Sequence, residues 1–164
     1  MIIVIMGVTG CGKSTVGEIL ATRLNLPFLD ADNFHNDENK LKMNQGIPLN
    51  DDDRIPWLSL ISEVLTDQQN KGGAILACSA LKKQYRELLQ RNLPSTIIWV
   101  HLSGSAELIS ERLNNRKGHF MSPDLLNSQF ETLEYPDGAL TISIKKSPEN
   151  IVEEIINEIY QNES

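Results

Sequence analysis

The sequence predicts an α/β fold of three layers, α/β/α, with helices covering both faces of a five-stranded parallel sheet. Three observations carry that expectation. Short apolar runs alternate with segments of helical period along the chain, as in strands joined by crossover helices. A glycine-rich turn follows the first apolar run directly and leads into a helical pattern, which is the order strand, loop, helix. The chain has 164 residues, 40% of them hydrophobic, and domains usually run to about 100 to 200 residues. A single domain over residues 1–164 is the expectation.

Ile2 to Ile5 is the first predicted strand, and Val16, Ile19, Leu20 and Leu24 give the following helix one apolar face. Pro27 to Asp30 is a second short strand. Asn33 to Asp53 is polar and irregular, and reads as an insertion before the third strand. Trp57, Leu60, Ile61, Val64 and Leu65 then predict an amphipathic helix ended by Gly72 and Gly73. Ala74 to Cys78 is the third strand, followed by a helix buried through Leu81, Tyr85, Leu88 and Leu89. Thr96 to Leu102 is rich in the residue types that favour strands. Ser105 is a suitable cap for a helix reaching about Asn114. Arg116 to Met121 has no apolar period and reads as a loop, after which Ser122-Pro123 opens another helix. Ala139 to Ile144 is the fifth strand. Ser147-Pro148 repeats the opening signal for a last helix carrying Ile151, Val152, Ile155, Ile156 and Ile159.

Charge and composition exclude several function classes. Asp plus Glu number 22 against 15 Lys plus Arg, for a net charge of −7, whereas nonspecific nucleic-acid binding needs a cationic surplus to displace counterions. The longest apolar run, Met1 to Met6, is far shorter than the roughly 20 residues of a membrane span. It lacks a basic leader and a cleavage site, so a cytoplasmic protein is expected. Cys11 and Cys78 form neither a Cys-x-x-Cys pair nor a zinc pattern and are expected as reduced thiols.

Ligands of open parallel sheets sit beyond the carboxyl ends of the strands. There the chain reads Gly7-Val8-Thr9-Gly10-Cys11-Gly12-Lys13-Ser14, followed by Thr15. This run satisfies G-x-x-x-x-G-K-[ST] in its required context. Its main-chain amides and the following helix N-terminus suit the phosphates of ATP. Lys13 is expected to reach the β- and γ-phosphates, and Ser14 to place its hydroxyl on Mg²⁺. The guanine-reading string Asn-Lys-x-Asp and its partner Asp-x-x-Gly are both missing, which disfavours a GTPase. Carboxylates follow the second strand instead, at Asp30 and Asp32. Two residues apart on extended chain, they share a side. One could order metal-bound water while Asp32 orients or deprotonates an acceptor hydroxyl.

His35, Lys42 and Arg54 fall in the polar insertion, Arg54 directly after three acids, where Asp51 or Asp52 is a candidate cap. A guanidinium there can grip a carboxylate in bidentate fashion. Ser79, Lys82 and Arg86 follow the third strand, and Arg112 and Arg116 flank the later loop, from which positive charge could reach a transferring phosphate. These features suit a small kinase. A noncatalytic nucleotide-binding regulator is the rival from another class.

The longer strings are more particular. Asp30-Ala31-Asp32-Asn33-Phe34-His35, Asn39-Lys40, Lys42-Met43 and Gly46-Ile47-Pro48-Leu49-Asn50-Asp51-Asp52-Asp53-Arg54 are followed by Pro56-Trp57-Leu58 and Cys78-Ser79-Ala80-Leu81-Lys82-Lys83 with Tyr85-Arg86. Gly118-His119-Phe120-Met121, Ser128-Gln129-Phe130 and Leu133-Glu134 complete them. With the glycine-rich loop, they make the chain, to about Pro136, closely resemble the gluconokinase family of small phosphate-loop carbohydrate kinases. The resemblance implies a fold like that of adenylate and shikimate kinases, and transfer of the ATP γ-phosphoryl group to the 6-hydroxyl of D-gluconate. It implies acceptor contacts from an insertion at about 32–58 together with Lys82, Arg86 and Gln129, a lid at about 112–125 carrying Arg112 and Arg116, and a homodimer. Related acceptors such as shikimate or a nucleoside monophosphate are not separated by composition or periodicity. Cys11 stands where the family more often has serine, and Ser143 and Lys145 stand where acids are expected.

Overall fold

The computed structural model describes residues 1–115 and 123–162. The strands are β1 Ile2–Met6, β2 Phe28–Asp30, β3 Ala74–Ala77, β4 Ile98–Ser103 and β5 Leu140–Ser143. They form one sheet in the order β2-β3-β1-β4-β5, each neighbouring pair parallel. The helices are α1 Lys13–Leu24, α2 Asp37–Asn44, α3 Asp51–Asn70, α4 Lys83–Gln90, α5 Ala106–Asn114, α6 Pro123–Thr132 and α7 Pro148–Asn162. A 3₁₀ turn spans Ala31–Phe34.

β1 is central and buried at every position, which explains an uninterrupted apolar run where a one-sided strand would alternate. Its pleat sorts the core into two layers. Ile3 and Ile5 pack with Val16 and Leu20 of α1 and with Ile151, Val152 and Ile155 of α7. Ile2, Val4 and Met6 pack with Leu58, Ile61 and Leu65 of α3 and with Tyr85 and Leu89 of α4. Each fully buried aliphatic side chain contributes about 1.5 to 3 kcal/mol, so both helical layers are anchored to the strand that leads into the glycine-rich loop.

Ser105 caps α5 by accepting the Leu108 N–H, and Ser147 accepts the Asn150 N–H ahead of α7, as their positions predict. The insertion departs from expectation. It contains α2, whose cap Asn36 accepts the Asn39 N–H at 2.7 Å. Asp37 and Glu38 lie in its first turn and Lys42 in its last. These charges suit the helix dipole, but α2 has no apolar stripe and buries only Asn39, so periodicity does not reveal it. α3 starts at Asp51, well before its apolar residues. Its cap is Asn50, not Asp51 or Asp52: the Asp53 N–H donates to Asn50 Oδ1 at 2.8 Å and the Asn50 N–H to Asp53 Oδ2 at 3.0 Å. This reciprocal pair satisfies two otherwise orphaned donors.

The buried stripe of α3 is Leu58, Ile61, Ser62 and Leu65, while Leu60 is 44% exposed. Packing against α4 turns the helix so that Ser62 faces inward, where its hydroxyl donates to the Leu89 carbonyl at 3.1 Å. Removing the cap with Asn50→Ala is expected to lower stability by about 1 kcal/mol, measured by urea denaturation.

Candidate active site

The glycine-rich loop wraps the carboxyl end of β1. Gly7 has φ 145°, and a Cβ there would lie 2.9 Å from the Leu102 carbonyl oxygen, so a side chain is excluded by backbone. Gly10, at φ 86°, packs equally closely on Leu113 of α5. The Gly7 N–H donates to the Ser79 carbonyl at 3.3 Å, joining the loop to the end of β3. α1 begins at Lys13 with no acid in its first turn, leaving its partial positive charge uncompensated. The Lys13 ammonium donates to the carbonyls of Gly7 at 3.0 Å and Val8 at 3.1 Å, which holds it over the loop.

The Ser14 hydroxyl donates to Asp30 Oδ2 at 3.2 Å, and Asp30 Oδ1 accepts the Asp32 N–H at 3.0 Å. A short β2 running into the 3₁₀ turn brings these groups beside α1. Partial desolvation, and next the charge of Asp30, raise the Asp32 pKa above the ordinary carboxylate value, while His35 and Lys13 pull it down. Asp32 still has solvent-exposed surface, so it is positioned to exchange a proton. Thr15 is exposed just inside α1. Cys11 is buried beneath the loop, and that burial raises its thiol pKa against the opposing fields of Lys13 and Arg112.

Asp32 also borders a cavity of about 370 Å³, near the small end of the usual range for ligand pockets. His35, Arg54, Ser79 and Gln129 line it, with an apolar wall that includes Trp57 and Leu58. The His35 ring stacks on Trp57 with centroids 4.0 Å apart, and its Nδ1 lies 3.3 Å from Asn39 Nδ2. Trp57 in turn donates to the Ala31 carbonyl at 2.8 Å. Arg54 donates to the Tyr85 hydroxyl at 2.9 Å, and that hydroxyl donates to Asp51 Oδ1 at 2.5 Å. The guanidinium is thereby aimed along the cavity wall. On the loop side, the Thr9 N–H donates to Gln129 Oε1 at 2.7 Å and Gln129 Nε2 donates to Thr9 Oγ1 at 2.8 Å.

Three expected acceptor contacts are committed elsewhere. Lys42 pairs with Asp53 at 2.8 Å, bracing α2 against the start of α3. Lys82 pairs with Asp51 at 3.3 Å. Arg86 is buried, and its guanidinium donates to the carbonyls of Ala80 at 2.6 Å, Leu81 at 3.2 Å and Glu134 at 2.9 Å. None of the three lines the cavity: residue type placed them on the ligand edge, but nearer carboxylates and main-chain carbonyls take their donors. Arg112 donates to the Ile144 carbonyl beyond β5. Arg116 and the rest of loop 116–121 lie outside the described residues. Sequence pattern missed the Tyr85 relay and the Thr9–Gln129 pair, since each joins positions far apart in the chain. The polar run before Trp57 was the available signal for the histidine stack.

An amide nest entering a helix, a hydroxyl and carboxylate beside it, and an acceptor cavity at the boundary define the class of phosphate-loop small-molecule kinases. Comparison with known proteins agrees. The sequence model of the shikimate kinase family matches residues 9–160. A gluconokinase of Gluconobacter oxydans is 45% identical, over 94% of this chain and 88% of its own length. One from Arabidopsis thaliana is 44% identical, over 94% and 90%. The crystal structure of a gluconokinase from Sinorhizobium meliloti superposes with a TM-score of 0.86 at 38% identity, covering 99% of this chain and 97% of that one. The chain belongs to the gluconokinase family, within the wider kinase family that the shikimate kinase model describes.

Two expectations follow from the buried groups. Arg86→Leu takes the donor from the Ala80 and Glu134 carbonyls, the Leu81 carbonyl keeping the Glu134 N–H, at about 1 to 3 kcal/mol for each group left unsatisfied; urea denaturation should show that loss while the acceptor KM of the folded enzyme stays within about twofold. Burial lowers the pKa of His35, with Asp32 opposing and Arg54 and Lys40 adding, and burial followed by Arg86 lowers that of His101. The unfolded chain therefore binds protons first as pH falls. Histidine-linked stability is complete above the ordinary value of 6.5 and is lost as pH drops through the lower folded values. Asp51 and Asp53, held low by Tyr85 and Lys42 respectively, lose their contributions only below 3.8. Melting temperature should thus fall between pH 7.5 and 5.5, and fall less in His101→Leu.

Proposed function

We propose that this enzyme transfers the γ-phosphoryl group of ATP to the 6-hydroxyl of D-gluconate, giving 6-phospho-D-gluconate and ADP. The observation that carries the reading is the position of Asp32, which borders the acceptor cavity while its N–H is tied to the carboxylate paired with Ser14. The cavity's scale suits a six-carbon sugar acid. Arg54 supplies a cation for the carboxylate, and Asp32, His35 and Ser79 supply polar groups for the hydroxyls.

In this mechanism the main-chain amides from Gly12 into the first turn of α1 and the Lys13 ammonium hold the triphosphate, while the Gly7 and Thr9 amides shape the loop through Ser79 and Gln129. Asp32 accepts the proton of the 6-hydroxyl as its oxygen bonds to the γ-phosphorus and the bond to the β-phosphate oxygen breaks. Burial, and next the charge of Asp30, raise the pKa of Asp32, which makes its carboxylate a better base than an ordinary aspartate. Ser14 and Asp30, a hydroxyl and a carboxylate 3.2 Å apart, are the hard oxygen donors that Mg²⁺ takes alongside phosphates and water. Bound there, Mg²⁺ would neutralise phosphate charge. Arg112 adds positive charge beyond β5, and Cys11 keeps the main-chain contacts that serine would make. Residues 32–58 receive the acceptor and the segment 112–125 serves as lid, in a single domain that we place in the cytoplasm as a homodimer. Among the described residues no helix is long and apolar enough to cross a membrane.

The test is ADP release with D-gluconate, shikimate, nucleoside monophosphates and other sugar acids. Turnover confined to gluconate and close relatives is expected. Turnover with another acceptor alone reassigns the substrate, and nucleotide binding without acceptor-dependent release indicates a regulator. Asp32→Asn should cut kcat by about 10²- to 10⁴-fold. Its melting temperature at pH 7 should not fall, because a raised carboxyl pKa means that the fold favours the neutral form above the ordinary value of 3.8. Arg54→Met should raise the gluconate KM at least about tenfold, as expected for losing a charged hydrogen bond of about 1.5 to 3 kcal/mol, with a smaller effect on ATP.

A further inference from the structure

We propose that Gln129 is a positioning residue that couples occupancy of the acceptor cavity to the shape of the phosphate loop, so that acceptor and ATP strengthen each other's binding. The proposal rests on the gluconokinase reading for the identity of the acceptor, and on the Thr9–Gln129 geometry for everything else.

Gln129 lies on α6, 120 residues from Thr9 in sequence, and its amide makes both bonds to that one residue. The Thr9 N–H is a fixed donor, so the amide oxygen must face it and the nitrogen must face the hydroxyl. A flipped amide would oppose two donors. Two bonds to a loop residue also fix the plane of the group. Of the hydrogen-bonding capacity of a primary amide, one N–H and one oxygen lone pair are left, and Gln129 borders the acceptor cavity. An acceptor hydroxyl meeting that remainder touches a group already bonded to the phosphate loop.

The loop side gives the contact its consequence. Thr9 sits between Gly7 and Gly10, whose positive φ values shape the nest. A Thr9 N–H held by Gln129 is turned toward α6, which determines how the neighbouring amides present to an anion. The other end of α6 is tied to the β3 side of the site. The Leu133 N–H donates to the Gln129 carbonyl, the Glu134 N–H donates to the Leu81 carbonyl at 2.8 Å, and the Lys83 N–H donates to Glu134 Oε1 at 2.9 Å. The segment that carries Gln129 is therefore bonded both to the nucleotide loop and to the chain just beyond Ser79. A group that holds the loop more firmly when the cavity is correctly filled favours transfer to the sugar acid over transfer to water.

Coupling of this kind is reciprocal in binding free energy. The affinity of a non-hydrolysable ATP analogue is measured by calorimetry with and without D-gluconate, for wild type, Gln129→Met, Thr9→Val and Thr9→Ser. Gluconate should tighten analogue binding at least about fivefold in wild type. That gain should vanish in Gln129→Met, shrink in Thr9→Val and return in Thr9→Ser, which keeps the hydroxyl. In Gln129→Met, kcat should fall at least about tenfold with a smaller change in the ATP KM, the melting temperature should stay near that of wild type, and hydrogen exchange at the Thr9 amide should quicken. Unaltered coupling and kcat in Gln129→Met, or Thr9 exchange as slow as in wild type, overturns the proposal. Absence of wild-type turnover with gluconate instead overturns the acceptor assignment; the coupling is then read with the acceptor that does turn over, and the exchange measurement stands without any acceptor.

Discussion

A ring of main-chain amides held open at the end of the central strand is the constraint on which the site depends. An amide nest has no net charge of its own and works only if its N–H groups converge, so the backbone must be supported from all sides. Gly7 admits the Leu102 carbonyl at a distance no side chain allows. The Ser79 carbonyl takes the Gly7 N–H, Leu113 closes on Gly10, and Cys11 fills the space beneath. Both hydrophobic layers of the protein meet at β1, so the whole core fixes the base of the loop.

The acceptor side is built differently. It is a polar insertion whose charges mostly satisfy one another: Lys42 with Asp53, Lys82 with Asp51, and Arg54 through Tyr85 to Asp51. Such pairs at partly exposed positions contribute little to stability, but they hold α2 and the first turn of α3 where Asp32, His35 and Arg54 face one cavity. Rigidity at the phosphate loop comes from packing, and position at the acceptor comes from a network of hydrogen bonds.

The difference explains what could be read in the sequence. Strands and amphipathic helices follow from apolar periodicity, and the glycine-rich loop from a spacing that has one physical use; the strands and the loop lie where expected apart from small shifts at their ends, whereas α3 begins about a turn and a half earlier and buries Ser62 where Leu60 is expected. Within the insertion, α2 has no apolar stripe and was invisible to that signal, and the true cap of α3 is the residue before the acid run. Among the candidate site residues, Asp30, Asp32, Arg54 and Ser79 converge because they lie at strand ends or helix starts on one edge. Arg86 does not join them, because an arginine one turn into a helix can serve nearby carbonyls as readily as a ligand. Contacts such as that between Thr9 and Gln129 depend on the packing of distant segments, which no local pattern encodes.

The chain's two cysteines, Cys11 and Cys78, are both buried, and burial pushes the Cys78 thiol up to about 12 and raises that of Cys11. Neither is a ready nucleophile toward maleimide at neutral pH. A pair of cysteines introduced on the exposed faces of α2 and α6 therefore takes fluorophores or spin labels selectively, without first building a cysteine-free background. Distances between the two sides of the cleft become measurable in solution with the native thiols left in place.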